Sequence, residues 1–179
     1  MEKAISGFEK GDIFALKEIA NKAIENASLE NNNGLAKIAL VSYCLHKMST
    51  KQHMVRHERW EAIKKGILSG LRRALADVEQ GNMKGFEKNI NGVISSVKKA
   101  DEKMGYYVQN LFEKARVKYA SFAYSMGLSL GQAAHLTGAD KKQLLRYIGV
   151  TRISDRETVT KGIGERLKAL KGKMGANPK

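Results

Sequence analysis

Residues 128–150 read Leu-Ser-Leu-Gly-Gln-Ala-Ala-His-Leu-Thr-Gly-Ala-Asp-Lys-Lys-Gln-Leu-Leu-Arg-Tyr-Ile-Gly-Val, a spacing that predicts two short helices joined by a tight turn. Two small residues, Ala133 and Ala134, stand where the helices would cross. Gly138 follows four positions later and can take a positive φ angle without steric cost, so the chain can turn there. Asp140 can then cap the second helix, because its side-chain oxygen can accept a hydrogen bond from a backbone N–H group of the first turn.

The second predicted helix has one apolar and one basic side. Leu144, together with Tyr147 or Ile148, would hold it against the first helix. The opposite side would carry the groups that contact the phosphates and base edges of a nucleic acid. These candidate contacts are Lys141, Lys142, Gln143, Leu145 and Arg146.

Four flanking residues are expected to contact the sugar-phosphate backbone. Ser129 or Gln132 would do so from the start of the first helix, and Arg152 and Arg156 from the segment after the second. Residues 150–160 allow two interpretations. Their β-like start is compatible with a wing, whereas a capping-box pair and later apolar residues at steps of three and four favour a terminal helix, which we prefer.

The same region resembles the helix-turn-helix of prokaryotic transcription regulators. In that motif an alanine at the helix crossing is followed four residues later by glycine, and an aliphatic residue comes six positions after the glycine. Ala134, Gly138 and Leu144 fill these places, and Thr137 occupies a position that is usually apolar. Residues 124–138 are also similar to small antitoxin-like helix-turn-helix proteins of archaea and bacteria. The resemblance implies DNA binding and transcription regulation.

The rest of the chain also has the pattern of helices. Of its 179 residues 42% are hydrophobic, and its single proline, Pro178, leaves long helices uninterrupted. Apolar residues recur at helical spacing over residues 13–24, 35–48, 54–78, 82–97 and 104–126. We therefore predict an all-α protein, with a bundle of antiparallel helices in residues 1–126 and a helix-turn-helix domain with a basic terminal helix in residues 127–179.

Two predicted turns, seventy residues apart, resemble each other. Residues 9–13 and 79–83 both place a glycine before a capping residue and an apolar helix start. One interpretation is a duplicated helical hairpin that builds a concave partner-binding surface. The interpretation we favour is that glycine followed by aspartate or asparagine is the ordinary chemistry by which helical hairpins turn.

The net charge of +14 is unevenly distributed along the chain. Residues 1–50 are neutral, whereas residues 51–100, 101–150 and 151–179 carry net charges of +6, +3 and +5. A basic surface attracts polyanions, of which nucleic acid is the commonest, through phosphate contacts and counterion release. A second basic face is predicted on the helix of residues 54–78, formed by Lys65, Arg72 and Arg73.

The sequence carries no pattern typical of an enzyme, and we expect no cofactor or bound metal. His53, His57 and Glu61 share one helical face by spacing, but the glutamate that a zinc protease needs after its first histidine is absent. Cys44 has no partner for an intramolecular disulfide. Without an export signal or an apolar run of ~20 residues, the chain is expected in the cytoplasm and away from membranes.

Together these features predict a DNA-binding protein, either a transcription regulator or an antitoxin-like factor. We expect a homodimer, because two half-sites supply affinity that one short helix lacks. Two other classes stay open. An RNA-binding protein would use the second basic face together with Tyr106 and Tyr107, and a protein–protein adaptor would use the neutral N-terminal hairpins as a docking groove.

Overall fold

The computed structural model describes the backbone of residues 1–104 and 111–154, and the side chains of residues 1–103 and 111–150. All regular structure in this part of the chain is α-helical, which confirms the predicted fold class. Its helices are α1 (Glu2–Lys10), α2 (Ile13–Glu30), α3 (Asn33–Thr50), α4 (Gln52–Val55), α5 (Trp60–Glu79), α6 (Met83–Met104), α7 (Leu111–Ser125), α8 (Leu130–Thr137) and α9 (Lys141–Ser154). Among the described residues, no helix is both long and apolar enough to cross a lipid bilayer.

Five of the helices end in the same way, at a residue in the left-handed region. These residues are Gly11, Asn31, Gly81, Gly127 and Gly138, with φ angles from 51° to 94°. In every case the N–H group of the next residue donates to the carbonyl five positions before it, at 2.7–3.2 Å. This is the hydrogen bond of a Schellman motif, and it satisfies a carbonyl that the helix end would leave without a donor.

A capping side chain starts the helix that follows each of these turns. The caps are Asp12, Asn32, Asn82, Ser129 and Asp140, each of which accepts a hydrogen bond from the backbone N–H three residues ahead at 2.9–3.2 Å. The similarity between residues 9–13 and 79–83 therefore extends to turns elsewhere in the chain. It is the pattern expected if helical hairpins share a turn chemistry, without any duplication of a module.

The chain divides into two compact units. Unit 1 comprises Met1–Lys22 and Lys37–Ala115, and unit 2 comprises Ala23–Ala36 and the chain from Arg116 onward. Unit 2 thus includes a segment that the sequence analysis assigned to the N-terminal bundle. As a result, α2, α3 and α7 each contribute residues to both units.

In unit 1, α5 and α6 pack closely against each other. Gly70 on α5 lies so near α6 that a Cβ atom there would be 2.7 Å from Cγ2 of Val93. At the turn between the two helices, the Asp77 carboxylate accepts hydrogen bonds from the side-chain amides of Asn82 at 2.8 Å and Asn89 at 2.6 Å. The pair is therefore fixed by close packing along its length and by polar contacts at its turn.

The structure corrects two of the predicted helices. The stretch predicted as one helix from residue 54 is α4 and α5, separated by a turn in which the His57 ring accepts the N–H of Arg59 at 3.1 Å. His53 and Glu61 consequently lie on different helices, and no group of three metal-ligand side chains occurs among the described residues. Met104, predicted at the start of a long helix, instead ends α6.

The helix α7 begins at a buried cap supplied by α6. The side chain of Asp101 is 4% exposed, and its Oδ2 accepts the N–H of Leu111 at 2.9 Å. A carboxylate at a helix N-terminus also interacts favourably with the helix dipole. The start of α7 is therefore set by a side chain ten residues earlier in the chain.

Replacing Gly70 by alanine is expected to destabilise the protein. The new Cβ would lie 2.7 Å from Val93, and overpacking a core in this way costs about 1–3 kcal/mol. Gly66→Ala, one turn earlier on α5, is the matched control. Its Cβ meets nothing within 4 Å, so it should stabilise α5 by up to about 1 kcal/mol. Urea unfolding followed by circular dichroism measures both, and equal effects would contradict the close approach of α5 and α6.

Candidate nucleic-acid interface

The helix α8 starts with a complete capping box. Ser129 Oγ accepts the N–H of Gln132 at 3.2 Å, and Gln132 Oε1 accepts the N–H of Ser129 at 3.0 Å. Behind this start, Ala133 and Ala134 are buried, as expected for small residues at a helix contact. The reciprocal bonds satisfy two backbone donors and fix the first residue of the helix.

The turn after α8 favours glycine because of its backbone conformation. Gly138 has φ 70° and ψ 26°, a conformation that costs a residue with a Cβ atom about 1–2 kcal/mol. In addition, the guanidinium group of Arg116, on α7, packs over it. The Cζ, Nε and NH2 atoms of Arg116 lie 3.4 Å from the position that a Cβ would occupy. Sequence reasoning missed Arg116, because nothing local to it indicates a contact 22 residues later.

Thr137 fits the buried position at which the family usually has an apolar residue. Its side chain is 3% exposed, and its hydroxyl donates to the carbonyl of Ala133 at 3.0 Å. This bond to the preceding turn satisfies the hydroxyl, so burial leaves no unpaired donor. The departure from the family pattern is therefore compatible with the packing of α8.

The helix α9 packs on α8 and buries two aliphatic residues. Leu144 is fully buried and Ile148 is 7% exposed, whereas Tyr147 is 39% exposed. Of the two residues proposed to assist Leu144, Ile148 is thus the one that is buried. Asp140 caps the helix, accepting the N–H of Gln143 at 2.9 Å, as expected.

The candidate base and phosphate contacts on α9 are all exposed, and their sequence spacing distributes them around the helix. At 100° per residue, Lys142 and Arg146 lie on roughly the opposite side from Leu144 and Ile148. The other exposed candidates are Lys141, Gln143 and Leu145, the last of which is 60% exposed.

Lys141 lies beside the first turn of α8. Its Nζ is 3.7 Å from the position that a Cβ of Gly131 would take, and Ser129 Oγ is 4.0 Å from the same point. An ammonium group therefore stands next to the end of α8 where the helix dipole is positive and where backbone N–H groups lack intrahelical acceptors. The sequence spacing did not reveal this proximity, because it depends on how α9 packs on α8.

The four flanking residues that were predicted to contact the sugar-phosphate backbone differ in what the structure shows of them. The oxygens of Ser129 and Gln132 are engaged in the capping box, so each can still offer only its hydrogen-bond donors, the hydroxyl and the amide NH2. Arg152 falls within α9, at a position where the side chain is not described, and Arg156 lies outside the described residues. Residues 150–154 continue α9, so of the two interpretations of this segment the wing, which was not the preferred one, does not hold for these residues.

The second basic face lies on α5, in unit 1. Lys65, Arg72 and Arg73 are all exposed, as predicted. However, the NH2 of Arg72 donates to Glu9 Oε1 at 2.8 Å, and NH1 of Arg73 donates to Ser69 Oγ at 3.0 Å. The aromatic residues proposed to assist this face, Tyr106 and Tyr107, lie outside the described residues.

Known proteins offer no counterpart for either surface. No protein-family model, curated protein or solved structure matches the chain. The function of α8 and α9 therefore has to be argued from their geometry and charge.

Replacing Gly138 by alanine is expected to destabilise unit 2 by about 1–2 kcal/mol, because of the positive φ angle. Gly149→Ala on α9 is the control, since its Cβ meets nothing within 4 Å and alanine favours helix by about 1 kcal/mol. Thermal unfolding should therefore shift downward for the first variant and upward for the second. An unchanged midpoint for Gly138→Ala would contradict the described turn.

Proposed function

We propose that α8 and α9 act as a helix-turn-helix that binds duplex DNA, in a prokaryotic transcription regulator or antitoxin-like factor. The observation that carries this proposal is the outward face of α9. Lys142 and Arg146 are exposed on a helix that packs on α8 and whose other side is buried at Leu144 and Ile148. A protruding helix with a rigid support and a cationic outer face is what the major groove of B-DNA accepts.

The side chains of α9 suit the edges of base pairs. Lys142 and Arg146 can donate to the O6 and N7 atoms of guanine, and Gln143 can both donate to and accept from adenine. Leu145 is largely exposed and can contact the methyl group of thymine. The helix therefore offers both polar and apolar groups for reading sequence.

A phosphate group would be held between the start of α8 and Lys141. The first N–H groups of a helix bind anions well, because they lack intrahelical acceptors and lie at the positive end of the dipole. The Lys141 ammonium group beside Gly131 adds a full positive charge. The hydroxyl of Ser129 and the amide of Gln132 can donate to the same backbone segment.

Duplex DNA is a better candidate than RNA. The major groove of A-form RNA is too narrow for side chains to read, so a protruding helix is suited to B-form DNA. The face that would serve RNA is also partly occupied, since Glu9 neutralises Arg72 and Ser69 engages Arg73. Because one short helix makes few contacts, we expect two copies of the chain to bind two half-sites.

The variant Lys142→Ala/Arg146→Ala tests the proposal. Removing two phosphate or base contacts should weaken binding to a mixed-sequence DNA duplex about tenfold or more at moderate salt. It should also reduce the slope of log affinity against log salt by about 2 units. Fluorescence anisotropy across a salt series measures both quantities, and circular dichroism checks that the helices persist.

The matched control is Lys84→Ala/Lys88→Ala on α6, which removes the same charge at the same spacing from two exposed positions. It should leave the salt slope nearly unchanged. Equal losses of DNA affinity in the two variants would mean that binding depends only on the net charge of the protein. That result would overturn the role of α9. Competition with single-stranded RNA completes the test, because RNA that displaces the DNA more effectively than duplex competitor would favour the face on α5.

A further inference from the structure

Unit 1 contains an open cleft of about 250 Å³ between the first part of α5 and the last part of α6. Its floor is apolar and is formed by Ile63, Gly66, Ile67 and Ala100. Three cations, Arg59, Lys99 and Lys103, line the same cleft, and all of them are exposed. The cleft therefore combines an apolar floor with a positively charged rim.

The size of the cleft suits one large side chain of a partner. Pockets for small-molecule ligands and cofactors usually measure about 300–1,000 Å³, and this cleft is smaller. Interfaces between proteins, by contrast, are commonly anchored by one aromatic or aliphatic residue that fills a cleft of the other protein. The space exists because Gly66 has no side chain, and nothing lies within 4 Å of where its Cβ would be.

The floor does not suit a nucleic acid. Its side chains are aliphatic, so they offer no hydrogen bonds to phosphates or bases and no aromatic ring for stacking. The one hydroxyl in the lining, that of Ser96, already donates to the carbonyl of Gly92 at 3.0 Å. An occupant of this cleft therefore needs an apolar group at its centre.

The cations of the rim favour an occupant that carries negative charge. Lys99 and Lys103 are one helical turn apart, and among the described residues neither has a carboxylate within ion-pair distance. Arg59 has only a distant contact, 3.7 Å, with the highly exposed Glu58. Three cations around an apolar centre are complementary to a large apolar residue that has carboxylates on both sides.

We propose that this cleft binds an acidic segment of a partner protein. One leucine, phenylalanine or tryptophan of the segment lies over Gly66, between Ile63 and Ile67. Aspartate or glutamate residues on either side pair with the cations of the rim. This interaction is independent of DNA binding, since it uses helices α5 and α6 and none of the residues proposed to contact DNA.

Selection from a library of random twelve-residue peptides tests the proposal, with the full chain as target and Gly66→Leu for counter-selection. A leucine at position 66 fills the cleft, and the open space around Gly66 lets α5 keep its structure. We expect enrichment of peptides with several acidic residues around one large apolar residue. By fluorescence anisotropy, such a peptide should bind Gly66→Leu at least tenfold more weakly than the unchanged protein.

A charge-reversal pair provides the second measurement. Lys99→Glu/Lys103→Glu should also weaken the selected peptide at least tenfold. Lys84→Glu/Lys88→Glu has the same spacing on the same helix but lies outside the cleft, and it should leave binding nearly unchanged. If circular dichroism shows that Gly66→Leu does not fold, this pair alone decides the question.

Three results would overturn the proposal. The first is a set of selected peptides without acidic residues. The second is equal binding of the peptides to the unchanged protein and to the Gly66→Leu and Lys99→Glu/Lys103→Glu variants. The third is that no peptide is selected and that Lys99→Glu/Lys103→Glu loses affinity for duplex DNA or RNA. That result would assign the rim to nucleic-acid binding.

Discussion

The turns that follow α1, α2, α5, α7 and α8 are the constraint on which the described structure depends. The last carbonyls of each of these helices need donors, the next helix needs a cap, and only two to four residues separate the two helices. A residue with positive φ followed by a capping side chain meets both needs, and at α8 and α9 it also fixes the rotation of α9. A shift of one residue there would turn the helix by about 100° and bring Gln143 or Leu145 to the place of the buried Leu144.

The parts that could be predicted from sequence are those in which a few neighbouring residues decide the outcome. The left-handed glycine at 138, the cap at Asp140 and the burial of Leu144 all follow from local chemistry. The break before α5 was missed because residues 56–59 contain neither glycine nor proline, so no local signal indicated a turn there. The packing of Arg116 over the turn could not be predicted, because it depends on how separate helices meet.

The number of basic residues in the chain, 32, overstates the number of cations that are free to bind a partner. Several cations are paired, among them Lys37 with Glu87, Lys98 with Glu113 and Arg72 with Glu9. Another, Lys51, is partly buried, and this desolvation lowers its pKa. Two groups of exposed cations lie on surfaces of defined shape, namely the outer face of α9 and the rim of the cleft between α5 and α6. The two proposed partners differ because the shapes of the two surfaces differ. A protruding helix suits duplex DNA, and an apolar cleft suits an acidic protein segment with a large apolar residue.

The division of α2 and α3 between the two units has a consequence for folding during translation. The segment Ala23–Ala36 leaves the ribosome early, but the rest of its unit begins only at Arg116. At translation rates of about 5–20 residues per second, roughly 4–16 s pass before the first of those later residues is made. During this interval Ile24 and Ala27, which end up fully shielded from water, lack their final neighbours. Unit 2 therefore completes its folding only after residues beyond Arg116 have been synthesised.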